Sequence, residues 1–170
     1  TSIGTGTLFA VNDAGSETSY MYDELDRVET VTNAMNGVKF YNYYSLSDKS
    51  TEIDVTDERN NTTKTRIDPF GRNVLETDAR NENTFYGYDD LDRITAVRNR
   101  LNHHTFYQYD GLGRVTRAGD SQTDQAGGLR ETFAYSLAGE LLSHTDTQGR
   151  QTTYQYDNTT TGRLQSSIFV

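Results

Sequence analysis

The sequence contains no cysteine, no tryptophan and only one proline. The absence of cysteine excludes disulfide bridges and thiolate metal sites. No apolar run approaches the roughly 20 residues that a membrane-spanning helix needs, so no membrane span is expected. A positively charged and then apolar leader of the signal-peptide kind is also missing from the start of the sequence. These absences predict a soluble segment without disulfide stabilisation.

Basic residues are outnumbered, because 16 Lys and Arg stand against 25 Asp and Glu and the net charge is −9. Nucleic acid is therefore not an expected partner. Hydrophobic residues make up 33% of the chain and the mean hydropathy is −0.81, which is low for a packed globule. However, 12 Tyr and 7 Phe recur at regular intervals. This regularity favours an ordered chain over a disordered one.

Aromatic pairs recur about every 21 residues along the chain. The residue after each pair serves as a marker, and the markers are Asp23, Ser45, Asp68, Asp89, Asp110, Ser136 and Asp157. The gaps between them are 22, 23, 21, 21, 26 and 21 residues, and the longest gap contains a polar insertion at residues 121–128. The sequence therefore predicts one repeat array over residues 1–170, with about seven units of ~21 residues.

Each unit has the pattern of two short strands and two tight turns. Threonine-rich and aromatic runs, such as Thr84–Tyr88 and Thr105–Tyr109, are typical of strands. The motif Asp-x-x-(Gly/Asp)-Arg follows, and Gly71, Asp92 and Gly113 suit the left-handed backbone of a hairpin turn. A second turn is expected thirteen residues after the marker, at Asn36, Asn81, Asn102 and Gly149.

The predicted fold class is all-β, with repeated antiparallel hairpins in a long, twisted strip. Each hairpin is too thin to bury an aliphatic centre. The expected core is therefore a ladder of stacked Tyr and Phe rings.

Three segments carry a resemblance to a known family. They are "YQYDGLGRVTRAGD", which begins at Tyr107, "YDELDRVETVTNAMNG" and "TDTQGRQTTYQYD". They resemble the YD repeat, also called the RHS repeat, and the resemblance covers nearly the whole chain. It implies a strip that spirals into a hollow shell, as in polymorphic bacterial toxins, the B and C components of insecticidal Tc toxins, and teneurin adhesion proteins. In the bacterial members the shell encloses a toxic domain.

One segment resembles a second motif of the same family. "DPFGR" at Asp68–Arg72 shares three letters with the DPxGL-type motif found near the self-cleavage site of bacterial RHS shells. It falls on the 21-residue spacing and ends in Arg. It is therefore expected to be an ordinary repeat turn.

The recurring carboxylates are predicted to be structural and not catalytic. Acid and base catalysis needs one unusual pair of carboxylates with separated pKa values, whereas Asp89, Asp90 and Asp92 belong to a motif that recurs. No phosphate loop, nucleophile elbow or HExxH motif is present. The chain is expected to be non-enzymatic and to need no cofactor.

Asp and Arg disappear from the motif together. In the units marked by Ser45 and Ser136, the residue four positions later is Lys49 or Glu140 instead of Arg. This covariation predicts an Asp–Arg contact across each turn or with the adjacent hairpin, with Asp also accepting backbone N–H bonds. The predicted structural motif comprises Tyr22, Asp23, Arg27, Asp68, Gly71, Arg72, Tyr88, Asp89, Arg93, Tyr109, Asp110, Gly113, Arg114, Tyr135, Gly139, Tyr156, Asp157 and Arg163.

Other candidate sites have less support. The three histidines, His103, His104 and His144, lack a metal-ligand spacing and are expected to be solvated turn residues. Oxygen clusters at Asp89, Asp90 and Asp92 or at Asp120 and Asp124 lack a calcium-binding loop, so no metal is expected. Asn-x-Thr triplets, which would accept glycans in a eukaryotic secretory pathway, begin at Asn60, Asn61 and Asn158.

Three functional classes are compatible with this sequence. The first is a structural segment of a shell in a secreted or cell-surface protein, whose partners are the rest of a larger YD-repeat polypeptide or an enclosed toxin domain. The second is an extracellular recognition module that binds glycan or protein. The third is self-assembly, in which sheet edges pair to form a fibre, a ring or another homo-oligomer. Continuation of the 21-residue spacing beyond Thr1 and Val170 would favour the first class.

Overall fold

A computed structural model describes residues 7–11, 17–121, 129–156 and 164–169. The chain divides into two compact units, Thr1–Thr84 and Phe85–Val170. Every regular element in the described residues is a β-strand, and none of them is a helix long and apolar enough to cross a membrane. The all-β prediction is confirmed. The insertion predicted at 121–128 lies outside the described residues except for Ser121.

The first unit is an antiparallel meander in which each strand pairs with the next one in the chain. Its strands are β1 (Thr7–Val11), β2 (Glu17–Tyr22), β3 (Val28–Thr32), β4 (Val38–Ser45), β5 (Thr51–Thr56), β6 (Thr62–Ile67) and β7 (Asn73–Thr77). Alternating Thr, Val and aromatic residues explain these strands, because β-branched and aromatic side chains pack well on a pleated surface.

The second unit has the same organisation. It contains most of β8 (Asn83–Tyr88), followed by β9 (Ile94–Arg98), β10 (His104–Tyr109), β11 (Val115–Ser121), β12 (Leu129–Tyr135), β13 (Leu141–Thr145), β14 (Gln151–Tyr156) and β15 (Leu164–Phe169). The predicted runs Thr84–Tyr88 and Thr105–Tyr109 thus fall within strands.

A β-bulge recurs next to the turn that carries the Asp-x-x-(Gly/Asp)-Arg motif. The register shifts between Gln108 and Tyr109 in the β10–β11 hairpin, and equivalent shifts occur in five other hairpins. A bulge leaves one residue unpaired and increases the local twist. The bulge therefore fixes the orientation of the strand end just before the turn begins.

The hairpin formed by β4 and β5 departs from this pattern. Its register runs without a shift from Phe40 opposite Thr56 to Ser45 opposite Thr51. Ser45 therefore lies in β4, and the turn begins at Leu46. The marker predicted at Ser45 is wrong by one residue. Lys49 occupies the left-handed position of the turn, with φ of 66°, and not the position of Arg.

The side chains are only partly covered within each unit. Among the described residues, no large side chain is less than 2% exposed, and the polar residues Ser50, Asp54, His104 and Thr152 are the buried ones. A compact aliphatic core is therefore absent from the described residues. Contacts between neighbouring hairpins must hold the sheet together.

Candidate functional site

Eleven turns in the described residues share one geometry over five residues. The N–H of the first residue donates to the carbonyl of the fifth at 2.8–3.0 Å, and the N–H of the fourth donates to the carbonyl of the first at 2.9–3.1 Å. The fourth residue is left-handed, with φ between 58° and 94°. This is the three-residue hairpin loop that closes on a left-handed residue. The turns begin at residues 23, 33, 46, 57, 68, 78, 89, 99, 110, 136 and 146.

An Asp or Asn side chain at the first position organises most of these turns. In the turn at Asp110, Oδ1 accepts hydrogen bonds from the backbone N–H groups of Leu112 and Arg114 at 2.9 and 3.0 Å. Such Asx bonds hold the loop closed and satisfy N–H groups that the strands leave unpaired. The same pair of bonds forms at Asp23, Asn33, Asp57, Asp68, Asp78, Asp89, Asn99 and Asp146.

The second carboxylate oxygen binds the arginine at the fifth position. Arg114 Nε donates to Asp110 Oδ2 at 2.6 Å, and the distance is 2.6–2.8 Å in the equivalent pairs. The backbone N–H of Arg114, followed by its guanidinium, lowers the pKa of the Asp110 carboxyl against the raising effect of desolvation. In the turn at Asp23, the guanidinium of Arg27 is the largest cause of the lowered pKa. These carboxylates are held in the charged form.

The guanidinium also reaches the next hairpin in the chain. Arg93 NH1 donates to the backbone carbonyl of Asp110 at 3.0 Å, and the guanidinium lies 4.7 Å from the centre of the Tyr109 ring. Arg114 repeats both contacts, with the carbonyl of Ser136 at 2.8 Å and the Tyr135 ring at 4.7 Å. Each arginine thus holds its own turn and the strand end of the following one.

The tyrosine that the arginine covers also bonds back to the preceding hairpin. Tyr109 Oη donates to the carbonyl of Ile94 at 2.6 Å, and Tyr135 Oη donates to the carbonyl of Val115 at 2.9 Å. Tyr43 and Tyr156 make the same kind of bond, with Val28 and Leu141. We call this set of contacts, from Asp to Arg to the next Tyr, the turn clamp.

The expected ladder of stacked Tyr and Phe needs a correction. The rings of Tyr43, Tyr109 and Tyr135 are covered by guanidinium groups. A delocalised cation on the electron-rich face of a ring is favourable, and the phenol hydroxyl remains available for a carbonyl. Sequence spacing alone does not show this arrangement, because the arginine comes from the preceding unit.

The units without Asp and Arg at the marker use substitutes. Ser136 Oγ accepts the backbone N–H of Glu140 at 3.1 Å, and the Glu140 carboxylate contacts the same hydroxyl. In the turn at Leu46, Asp48 binds Arg66 from the neighbouring strand, and Arg66 also donates to the buried hydroxyl of Ser50 at 2.9 Å. Hydrogen bonds from Ser50, with a smaller contribution from Arg66, lower the pKa of Asp48 to about 2.

The structure brings most of the predicted motif residues into these contacts. The pairs are Asp23 with Arg27, Asp68 with Arg72, Asp89 with Arg93 and Asp110 with Arg114. Gly71, Gly113 and Gly139 occupy left-handed positions. Tyr22 and Tyr88 lie opposite Val28 and Ile94, directly after a bulge. Asp157 and Arg163 lie outside the described residues.

Sequence reasoning missed one pair of the same kind. Asp146 binds Arg150 at 2.6 Å in a second turn, where only a Gly or Asn was expected. Its spelling, Asp-Thr-Gln-Gly-Arg, has the spacing of the first-turn motif and was the available signal. The turn at Asp68–Arg72 has the ordinary geometry expected of it.

The histidine prediction is correct for only one of the three. His103 is exposed in a turn, but His104 lies in β10 and is 6% exposed, with its ring 6.0 Å from that of Phe106. His144 lies in β13, where it stacks on Phe133 at 4.7 Å. Their strand alternation places these rings against neighbours and not in turns.

Metal ligation has no support within the described part of the chain, which holds no group of three or more His, Asp or Glu arranged to bind an ion. The Asp89 carboxylate is engaged by Arg93 and two backbone N–H groups. Asp120 lies in β11, and Asp124 falls outside the described residues. Asn60 is an exposed left-handed turn residue next to Asn61, and Asn158 is not described.

The bulges, closed turns and turn clamps define an all-β repeat protein. Residues 135–168 match the RHS Repeat family. A structure of the Photorhabdus luminescens Tc holotoxin pore with a TccC3 mutation matches 92% of this chain, with a TM-score of 0.70 and 17% identity. The crystal structure of TcdB2-TccC3-Cdc42 matches 95% of it, with a TM-score of 0.56 and 13% identity.

The family match and the shared fold confirm the resemblance to the YD or RHS repeat. Among curated proteins, none matches this chain. The chain spans only 8% and 10% of the two matched structures' chains. At such identities the likeness to solved structures is one of fold.

Proposed function

We propose that this chain is a non-catalytic structural segment of an RHS-repeat shell in a secreted or cell-surface protein. Residues 1–170 would form one continuous array of repeats. Its partners would be the rest of a larger RHS-repeat polypeptide and a toxin domain that the shell encloses. Both matched structures contain Tc toxin components, which supports this proposal.

The observation that carries the proposal is the use of the most ionisable residues. An active site needs a carboxylate or a base that is free to exchange protons with a substrate. Here the carboxylates of Asp89 and Asp110 are saturated by backbone N–H groups and arginine, and their pKa values are lowered. The same arginines bind the following hairpin. The repeated charges therefore serve cohesion between units.

A wall also explains the thinness of each unit. A meander that buries no large side chain within the described residues is expected to be marginal alone, because repeat units are stabilised by their neighbours. Added hairpins would supply more turn clamps without requiring a central core. The fold thus suits a long array better than a short isolated domain.

The first experiment is the mass of the native polypeptide under denaturing conditions. An antibody against this sequence would isolate the polypeptide from its source for intact mass spectrometry. The proposal predicts a mass far above the 19.2 kDa of this chain. A mass close to 19.2 kDa would contradict a shell segment, because seven units are too few to enclose a domain.

Enclosure is tested separately on that intact polypeptide by limited proteolysis. The wall function predicts that a segment outside the array resists protease until mild denaturant opens the shell. A matched polypeptide with Arg93→Met and Arg114→Met should release the protected segment at a lower denaturant concentration. Equal cleavage of the segment in native and opened protein would argue against enclosure.

A further inference from the structure

The most exposed apolar side chains occupy the loops of the turns. In the described residues, the large hydrophobic side chains that are more than 60% exposed are all turn residues: Leu25, Met35, Phe70, Leu91, Leu101, Leu112 and Leu137. Turn loops are ordinarily polar, and single exposed apolar residues need no explanation. A row of them at one repeated position indicates a contact surface.

The second unit presents two rows on opposite edges. Alternate turns of an antiparallel meander lie on the same edge, so the turns at 89–93, 110–114 and 136–140 form one edge, which we call the first-turn edge. The turns at 99–103 and 146–150 form the opposite, second-turn edge. Leu91, Leu112 and Leu137 are 68%, 73% and 100% exposed on the first edge, and Leu101 is 65% exposed on the second.

These two edges carry opposite charge. The first-turn edge contains four aspartates and one glutamate against two arginines, and the second-turn edge contains two arginines against one aspartate. Asp90 and Asp92 flank Leu91, and Arg100 adjoins Leu101. Two copies of the first-turn edge would repel each other. A first-turn edge facing a second-turn edge would be attracted.

The two edges also share one spacing. Strands lie about 4.8 Å apart, so turns on the same edge are roughly 9.6 Å apart along the sheet. A leucine on one edge can therefore enter the gap between two leucines on the other edge. A flat partner without this period would leave most of the row uncovered.

We propose that the first-turn edge of the second unit packs against the second-turn edge of the second unit in another copy of this chain. Leu101 of one copy inserts between Leu91 and Leu112 of the other, and Arg100 faces Asp90 and Asp92. The contact uses turns and leaves strand pairing unchanged. This inference goes beyond the wall function and does not depend on an enclosed domain.

Sedimentation velocity at increasing protein concentration tests this contact with two complementary variants. The variant L91N/L112N has a damaged first-turn edge, and R100E/L101N has a damaged second-turn edge. The wild type should associate in a salt-sensitive manner, and each variant alone should show a dissociation constant raised at least about tenfold. Far-UV circular dichroism should stay unchanged, because all four side chains are exposed.

A mixture of the two variants separates this contact from other kinds of assembly. Each variant keeps one intact edge, so an equimolar mixture should form a heterodimer and stop there, because no second intact pair of edges remains. The control M21Q changes an apolar strand residue that is 40% exposed and should associate like the wild type.

Three results would overturn the proposal. The first is a wild type that stays monomeric at every concentration. The second is undiminished association of both variants, which would indicate pairing of the terminal strands. The third is full association of R100E/L101N alone, which would mean that two first-turn edges bind each other.

Discussion

At the scale of single residues, the fourth position of each turn is the most restrictive. Gly113 has φ of 81°, whereas Gly111, two positions earlier in the same turn, lies outside the left-handed region. A Cβ on either glycine would meet no atom within 4 Å. The two glycines therefore differ in backbone conformation and not in available space.

This contrast predicts opposite effects of the same substitution. Gly113→Ala should lower the free energy of unfolding by about 1–2 kcal/mol, because a side chain is strained in the left-handed region. Gly111→Ala should be neutral or raise it by up to about 1 kcal/mol, because alanine reduces the freedom of the unfolded chain. Urea denaturation measures both. Gly113→Asn should cost less than Gly113→Ala, since Asn36, Asn81 and Asn102 occupy equivalent positions; equal costs for all three variants would contradict the assignment.

At the scale of elements, the arginine is the residue that joins one hairpin to the next. Arg114 and Arg150 make the same pair with an aspartate four residues earlier. Arg114 is 25% exposed and also contacts Tyr135 and the carbonyl of Ser136, whereas Arg150 is 66% exposed. The comparison isolates the contribution of the contacts with the following hairpin.

Arg114→Met should therefore destabilise the protein more than Arg150→Met. The first change removes a charged hydrogen bond to a carbonyl and a cation–π contact as well as the ion pair, for about 1–3 kcal/mol. The second removes mainly an exposed ion pair, for about 0–1 kcal/mol. Hydrogen exchange of the β12–β13 hairpin should quicken in Arg114→Met and stay unchanged in Arg150→Met. Indistinguishable unfolding midpoints would show that the turn clamp does not stabilise neighbouring hairpins.

Local features explain how much of each element the sequence predicts. Strand alternation and the Asx and glycine residues of turns act within five or six residues, so the strands and the left-handed positions at Asn36, Asn81 and Asn102 could be predicted. The marker at Ser45 failed because Tyr43 and Tyr44 are adjacent. The equivalent tyrosine is chosen by Arg27 and the carbonyl of Val28, which belong to another hairpin.

Contacts across strands explain the rest of the site. Asp48 and Arg66 are 18 residues apart and meet only because β5 and β6 place them on adjacent chain segments. Likewise, the arginine cover of Tyr109 comes from the preceding unit. No fixed local spacing encodes such contacts. The Asp–Arg pair within one turn could be predicted, whereas its extension to the next hairpin could not.

At the scale of the whole molecule, acidic side chains combine excess charge with a cohesive role. The net charge is −9, yet the carboxyls of Asp23, Asp68, Asp89, Asp110 and Asp146 have pKa values below the ordinary 3.8. For Asp68, Asp89 and Asp146 desolvation is the largest single effect and raises the pKa, but the hydrogen bonds from backbone and arginine together outweigh it. The folded state thus favours the ionised form of many equivalent groups.

Acid should therefore destabilise the array progressively. A carboxyl whose pKa is lower in the folded state stabilises it fully above the unfolded-state pKa, and this contribution is lost as pH falls through the folded-state pKa. With an ordinary value of 3.8 and a pKa of about 2 for Asp48, the loss should extend from about pH 4 to about pH 2. Urea midpoints at pH 6, 4, 3 and 2.5 would measure it. Asp89→Asn/Asp110→Asn should be less stable than the wild type at pH 6 but show a smaller further loss in acid, because two of the titrating groups are gone. An unchanged midpoint between pH 6 and 2.5 would show that these carboxylates contribute nothing to the folded state.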